Sequence, residues 1–149
     1  MYIPEIPNNS LTEEIKEIVR LSRQLEDDYN FEYDPPVTEE ELTSWENENQ
    51  IIIPESVKDW LRFSGYSNIC SELIIIKSVK SFEVGCELIS DEFVIIGEVI
   101  GNGEFLCFSK KTGEIIRENH GEITKLKSFE DFLTNTVIRM LKKSTIKTV

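Results

Sequence analysis

Phe93-Val94-Ile95-Ile96-Gly97 and Glu104-Phe105-Leu106-Cys107-Phe108, joined across Gly101-Asn102-Gly103, decide how this chain folds. Both runs are short, apolar and rich in β-branched or aromatic residues, and the glycines between them signal a hairpin turn. Lys110-Lys111-Thr112-Gly113 is a second turn signal, and it leads into Glu114-Ile115-Ile116-Arg117. Leu73-Ile74-Ile75-Ile76 and Phe82-Glu83-Val84, upstream, have the same β character. The pattern predicts an antiparallel meander from about Leu73 to Arg117.

Outside this block the apolar period changes to that of helices. Ser10 and Glu13 have the spacing of a capping box, followed by Leu11, Ile15, Ile18, Val19 and Leu25 on one stripe. That helix is expected to fray at Glu26-Asp27-Asp28, where carboxylates oppose the macrodipole. Asp34-Pro35-Pro36 reads as a linker. Thr38 and Glu41 repeat the capping box and open a second helix to about Asn49, with Leu42 and Trp45 on its inner face. Pro54 suits the first position of a third helix that buries Val57, Trp60 and Leu61 and stops at Gly65. Ser128-Phe129-Glu130-Asp131 caps a last helix carrying Phe132, Leu133, Val137, Met140 and Leu141. The fold class expected is α+β: an antiparallel meander sheet with helices packed on one face, preceded by an extra N-terminal helix.

A chain of 149 residues fits a single globular unit, read here as a helical extension over 1–36 and an α+β domain over 37–149. No apolar run approaches the ~20 residues of a membrane span, and Met1 to Glu5 does not resemble a secretory signal. A cytoplasmic location is expected. Cys70, Cys86 and Cys107 are odd in number and lack Cys-x-x-Cys spacing, so they are expected to be reduced and buried.

Charge is distributed very unevenly. Eleven carboxylates and no cation lie between Arg23 and Lys58, whereas residues 101–149 carry nine Lys or Arg against six Asp or Glu. A net charge of -12 disfavours nucleic acid and anionic membranes and favours a basic protein partner. At physiological salt the screening length is about 8 Å, so acids at this density repel one another. The expected partner surface comprises Glu26, Asp27, Asp28, Glu32, Asp34, Glu39, Glu40 and Glu46, with Tyr29, Phe31 and Tyr33 as apolar or aromatic anchors.

Three segments resemble one family. Thr38-Glu39-Glu40-Glu41-Leu42…Trp45-Glu46 through Ile53-Pro54-Glu55-Ser56-Val57-Lys58-Asp59-Trp60-Leu61…Ser64-Gly65 is similar to the two-helix opening of the SUKH superfamily. The Phe93–Phe108 hairpin with Thr112-Gly113 resembles its central hairpin, and Ser128-Phe129-Glu130-Asp131-Phe132-Leu133 its closing helix. Ser109 stands where that family usually has an aspartate, and Glu104 where an aspartate is frequent. The superfamily takes in the Smi/Knr cell-wall-synthesis regulators of fungi and many small bacterial proteins. The resemblance implies a non-enzymatic binding module without cofactors. In bacteria it implies an immunity protein that neutralises a toxin domain, often a nuclease, of a polymorphic or contact-dependent system. A regulatory scaffold is the alternative it implies.

The residues offer no convergent catalytic set. His120 sits beside Asn119 and Gly121 in an expected turn, with no orienting partner in view. A strand rather than a helix N-terminus follows Gly101-Asn102-Gly103, so that turn is not a phosphate cradle. Glu26-Asp27-Asp28…Glu32 lacks the glycine and ligand alternation of a calcium loop. Trp45 and Trp60 are expected in the core.

Overall fold

The computed structural model describes residues 1–85 and 90–147; Cys86 lies outside them. Among the described residues, eight strands form one antiparallel sheet: β1 (Glu32–Tyr33), β2 (Ser67–Ile69), β3 (Ile74–Ile76), β4 (Glu83–Val84), β5 (Phe93–Val99), β6 (Glu104–Ser109), β7 (Ile115–Asn119) and β8 (Glu122–Lys125). Their order is β1-β2-β3-β5-β6-β7-β8, and β4 also pairs with β5. The helices are α1 (Thr12–Leu25), α2 (Glu39–Asn49), α3 (Glu55–Leu61) and a C-terminal run made of α4 (Phe129–Phe132), a π-helical stretch (Leu133–Ile138) and α5 (Arg139–Lys147). The α+β architecture is the one expected.

Strand alternation separates two buried clusters. Ile74 and Ile76, Val94 and Ile96, and Leu106 and Phe108 point to the inner face, where they meet Ile15 and Leu25 of α1, Leu42 and Trp45 of α2, Trp60 of α3 and Phe129 of α4. Phe93, Ile95, Cys107 and Ile116 point the other way and form a smaller cluster built from strands. All the helices therefore pack on one face. Edge-on ring pairs tie the layers together, with centroids 5.6 Å apart for Trp45–Phe82 and 5.3 Å for Trp60–Phe63. At Gly97, where the β5–β6 register shifts, a Cβ would sit 2.5 Å from the Ile75 carbonyl oxygen. Only glycine lets the strands approach so closely.

Several local expectations hold. Thr38 caps α2 in a complete capping box with Glu41, and Ser128 Oγ accepts the Asp131 N–H at 2.9 Å. Ser109 Oγ accepts the N–H groups of Lys111 and Thr112, both at 3.3 Å, so it closes the turn from the position where the resemblance leads one to expect an aspartate. His120 turns the β7–β8 hairpin at φ 51°. Cys70 and Cys107 are buried.

Others are corrected. Ser10 does not cap α1; its hydroxyl donates to Asp59 Oδ2 of α3 at 2.5 Å. Leu11 is the N-cap and no side chain caps the helix; Asn9 braces the turn before it, since its Oδ1 accepts the Leu11 N–H at 2.8 Å while Thr12 Oγ1 accepts the Asn9 N–H at 2.8 Å. A buried aspartate 49 residues away thus outcompetes the local box. Gly65 is not a left-handed helix stop, because α3 ends at Leu61 with Arg62 at φ -72°. Its need is for space: a Cβ there would lie 2.9 Å from the Pro35 carbonyl oxygen, which accepts the Gly65 N–H at 3.0 Å. Asp34-Pro35-Pro36 is accordingly no free linker. The Asp34 N–H donates to Tyr66 O and the Val37 N–H to Leu61 O, both at 2.9 Å.

Candidate partner-binding surface

The eleven carboxylates between Arg23 and Lys58 fall into two groups. Those on α2 and α3 are largely met by cations. Arg62 grips Glu39 with two hydrogen bonds of 3.0 and 2.9 Å and reaches Glu55 at 2.7 Å and Asp59 at 2.8 Å. The bidentate contact to Glu39, opposed by partial burial and reinforced by Glu55 and Asp59, holds the guanidinium well above its ordinary range. Reciprocally, the Arg62 hydrogen bond pulls Glu39 below the usual carboxylate range. Lys58 pairs with Glu46 at 3.1 Å, and Glu46 also accepts the Ile53 N–H at 2.8 Å. Lys80 stands 3.6 Å from Glu41, whose carboxyl is lowered mainly by the Thr38 backbone N–H.

The other group has no such cover. Glu26, Asp27, Asp28, Glu32 and Asp34, together with Glu40 and Glu48, have no ion-pair partner among the described residues. Glu26, Asp27 and Asp28 follow the end of α1 and are exposed, as is Glu32 on the edge strand β1. Asp34 is half-buried. Tyr29 and Phe31 are half-buried against the main core and keep part of their rings accessible. Tyr33 is a correction. It is 2% exposed, packs on Phe63 with ring centroids 5.6 Å apart, and shares a 2.7 Å hydrogen bond with Ser22. Burial pushes its hydroxyl well above the ordinary phenol range. Side-chain alternation on β1 turns Tyr33 inward and Glu32 outward, so Tyr33 offers a partner nothing.

The fold adds acids that the linear run does not contain. Cross-strand pairing places Glu32, Asn68, Ile75, Glu98, Phe105 and Glu118 directly opposite one another in turn, as one row across the sheet in which Asn68 and Glu118 are buried, so that Glu98 is the acid the row adds to Glu32 at the surface. Tyr66 lies among Glu32, Glu72, Asp34 and Glu98; partial burial first, then these charges, push its hydroxyl above the ordinary phenol range. Glu72 reaches this place through three successive left-handed residues, Cys70, Ser71 and Glu72, at φ 59°, 54° and 68°. Such backbone costs on the order of 1–3 kcal/mol per residue. Two hydrogen bonds to Asn30 offset it, Ser71 N–H to Asn30 O at 2.7 Å and Asn30 N–H to Ser71 Oγ at 2.9 Å, as does the Glu72 N–H bond to Asn68 Oδ1 at 2.7 Å. They pin the acidic 26–34 segment against the turn that carries Glu72. Glu72, Glu98 and Tyr66 escaped the sequence reading; the outward position of Glu98 between Gly97 and Val99 was the one available signal.

The site is a surface of fixed negative charge with a partly apolar centre at Ile75 and Phe105, both half-buried. Among the described residues no group of three or more His, Cys, Asp or Glu is placed to hold a metal ion, and no helix is long and apolar enough to cross a membrane.

Fold and surface together define an α+β domain whose helices cover one sheet face and whose other face carries uncompensated carboxylates. Residues 36–135 match the SMI1 / KNR4 family (SUKH-1), and the chain belongs to that family. Membership is consistent with an immunity or a regulatory protein. No curated protein matches the chain.

Proposed function

We propose that the chain is an immunity protein that binds and neutralises a basic toxin domain of a polymorphic or contact-dependent toxin system, a nuclease being the fitting class. The observation that carries this reading is the acidic surface formed by Glu26, Asp27, Asp28, Glu32 and Asp34 and continued by Glu72 and Glu98, none of which has an ion-pair partner among the described residues. A nuclease holds phosphates with Lys and Arg, and a rigid array of carboxylates competes for those side chains. Neutralisation is then occlusion, steric and electrostatic, with Tyr29 and Phe31 contributing apolar contact and no chemistry required of the immunity protein. Opposite fields of this kind raise association rates about 10–10³-fold and fade with salt.

Co-expression with candidate basic toxin domains tests the reading: this protein restores growth against one cognate toxin and neutralises no unrelated one. A regulatory scaffold binding an endogenous protein is the other reading that family membership supports, and a scaffold rescues no cell. Reversing Glu26, Asp27, Asp28, Glu32 and Asp34 to Lys should slow association with the toxin by about 10–10³-fold at low salt. Unchanged on-rates would remove this surface.

A further inference from the structure

Opposite in sign to the acidic surface is a groove of about 530 Å³ between the β5–β6 turn and the C-terminal helix. Leu73, Val99 and Met140 give it apolar walls, while Arg117, Arg139 and Lys143 border it. Arg117 is held on two sides: Nε donates to Glu104 Oε2 at 2.5 Å and Nη1 to Thr136 Oγ1 at 3.3 Å. Its Nη2 has no hydrogen-bond partner among the described residues. Thr136 lies within the π-helical stretch Leu133–Ile138, so the wide turn is the element that braces Arg117. Such turns are less stable than α-helix and recur at functional sites. Arg139 and Lys143 follow on α5 at i, i+4, a like-charge spacing that costs an isolated helix stability. Neither has an ion-pair partner among the described residues, in a chain with 28 acids. Three cations line one recess, and of these only Arg117 has an ion-pair partner among the described residues, Glu104, which leaves a positive balance.

We infer that this groove is a binding site for a small organic diphosphate, its phosphates held by Arg117, Arg139 and Lys143 and its organic part by Leu73, Val99 and Met140. The volume lies within the range of small-molecule sites. The guanidinium fork of Arg139, the free Nη2 of Arg117 and the Lys143 ammonium match adjacent phosphates, whereas a single carboxylate would leave cations unmet. Recognition rests on the side chains, because Gly101-Asn102-Gly103 ends a single 3-10 turn (Ile100–Asn102) and runs into strand β6, with no α-helix N-terminus to face a phosphate. The site is independent of the toxin-binding reading and lies on other residues.

The test is calorimetry on the full chain at low ionic strength with pyrophosphate, adenosine diphosphate and adenosine. Pyrophosphate and adenosine diphosphate should bind one to one, and adenosine should not. The paired change Arg139→Gln and Lys143→Gln should weaken both phosphate compounds by roughly tenfold or more, with circular dichroism unchanged. A control of equal charge, Lys110→Gln with Lys111→Gln, should leave affinity within about twofold. Absence of binding by either phosphate compound, adenosine binding as well as its diphosphate, or equal weakening by the control pair would each overturn the inference.

Discussion

Two stretches of the same acidic run meet opposite fates. On α2 and α3, Glu39, Glu41, Glu46 and Glu55 each find a cation, and Arg62 alone gathers Glu39, Glu55 and Asp59. From the end of α1 to just past β1, the five acids from Glu26 to Asp34 find none among the described residues, although they lie nearer in sequence to Arg23. Acids of the first kind hold elements together; those of the second add repulsion and nothing visible to the fold. A protein retains such a surface at the expense of stability, and a cationic partner is the physical circumstance in which it becomes favourable. Linear charge density therefore overstates the unpaired acidic surface at one end, since Glu39 and Glu46 already have partners, and understates it at the other, where Glu72 and Glu98 join.

This contrast can be broken most forcefully at Arg62. Arg62→Met should destabilise the protein by about 2–4 kcal/mol in urea unfolding, because Asp59, 6% exposed, loses its cation. A loss below about 0.5 kcal/mol would show that α2 and α3 do not depend on the pairing. Glu39→Gln should cost less, about 0.5–1 kcal/mol at pH 7. The Glu39 carboxyl is lowered in the fold, so its contribution is present above the ordinary value of 4.5 and disappears as pH falls through the folded value. The difference between variant and parent should accordingly shrink below pH 4.5.

Glu14→Gln should have the opposite sign. Burial first, then the neighbouring Glu130 carboxyl, hold Glu14 above 4.5. Stability from that group is full at pH below 4.5 and is lost as pH rises through the raised value. The variant should thus melt higher than the parent at pH 7 and alike at pH 4; a lower melting point at pH 7 would contradict the pairing. The smallest effect belongs to the uncovered stretch. Replacing Asp27 and Asp28 with Asn should leave the denaturant midpoint unchanged or slightly raised, and less so in high salt. A clear loss of stability would mean that these acids have structural partners.

A second contrast separates the family core from its flanks. The match spans residues 36–135, whereas α1 and α5 lie outside it and pack against each other. Leu11, Ile15, Ile18 and Leu25 of the N-terminal flank and Leu141 of the C-terminal one are fully buried in the same cluster as the matched residues. The N-terminal helix was legible from its apolar stripe, and its end at Leu25 from the carboxylates that follow. Its first turn was misread because the competitor for Ser10 is Asp59, which no local pattern reveals.

Missed strands have a similar cause. Ser67-Asn68-Ile69 of β2 is buried on both sides yet holds one apolar residue, and every residue of β8 is exposed, so neither shows alternation. Both form because neighbouring strands offer ladder partners. The Thr38 and Ser128 caps, hairpin turns, the helical stripes around Trp45 and Trp60 and the central alternation were decided by the sequence itself, since each depends on residues a few positions apart. Which acids are neutralised, that Tyr33 faces inward, and that Glu98 and Glu72 join Glu32 around Tyr66 were settled only by tertiary structure. Coulomb pairing and strand register act between residues distant along the chain, and nothing short of the folded arrangement brings those groups within reach.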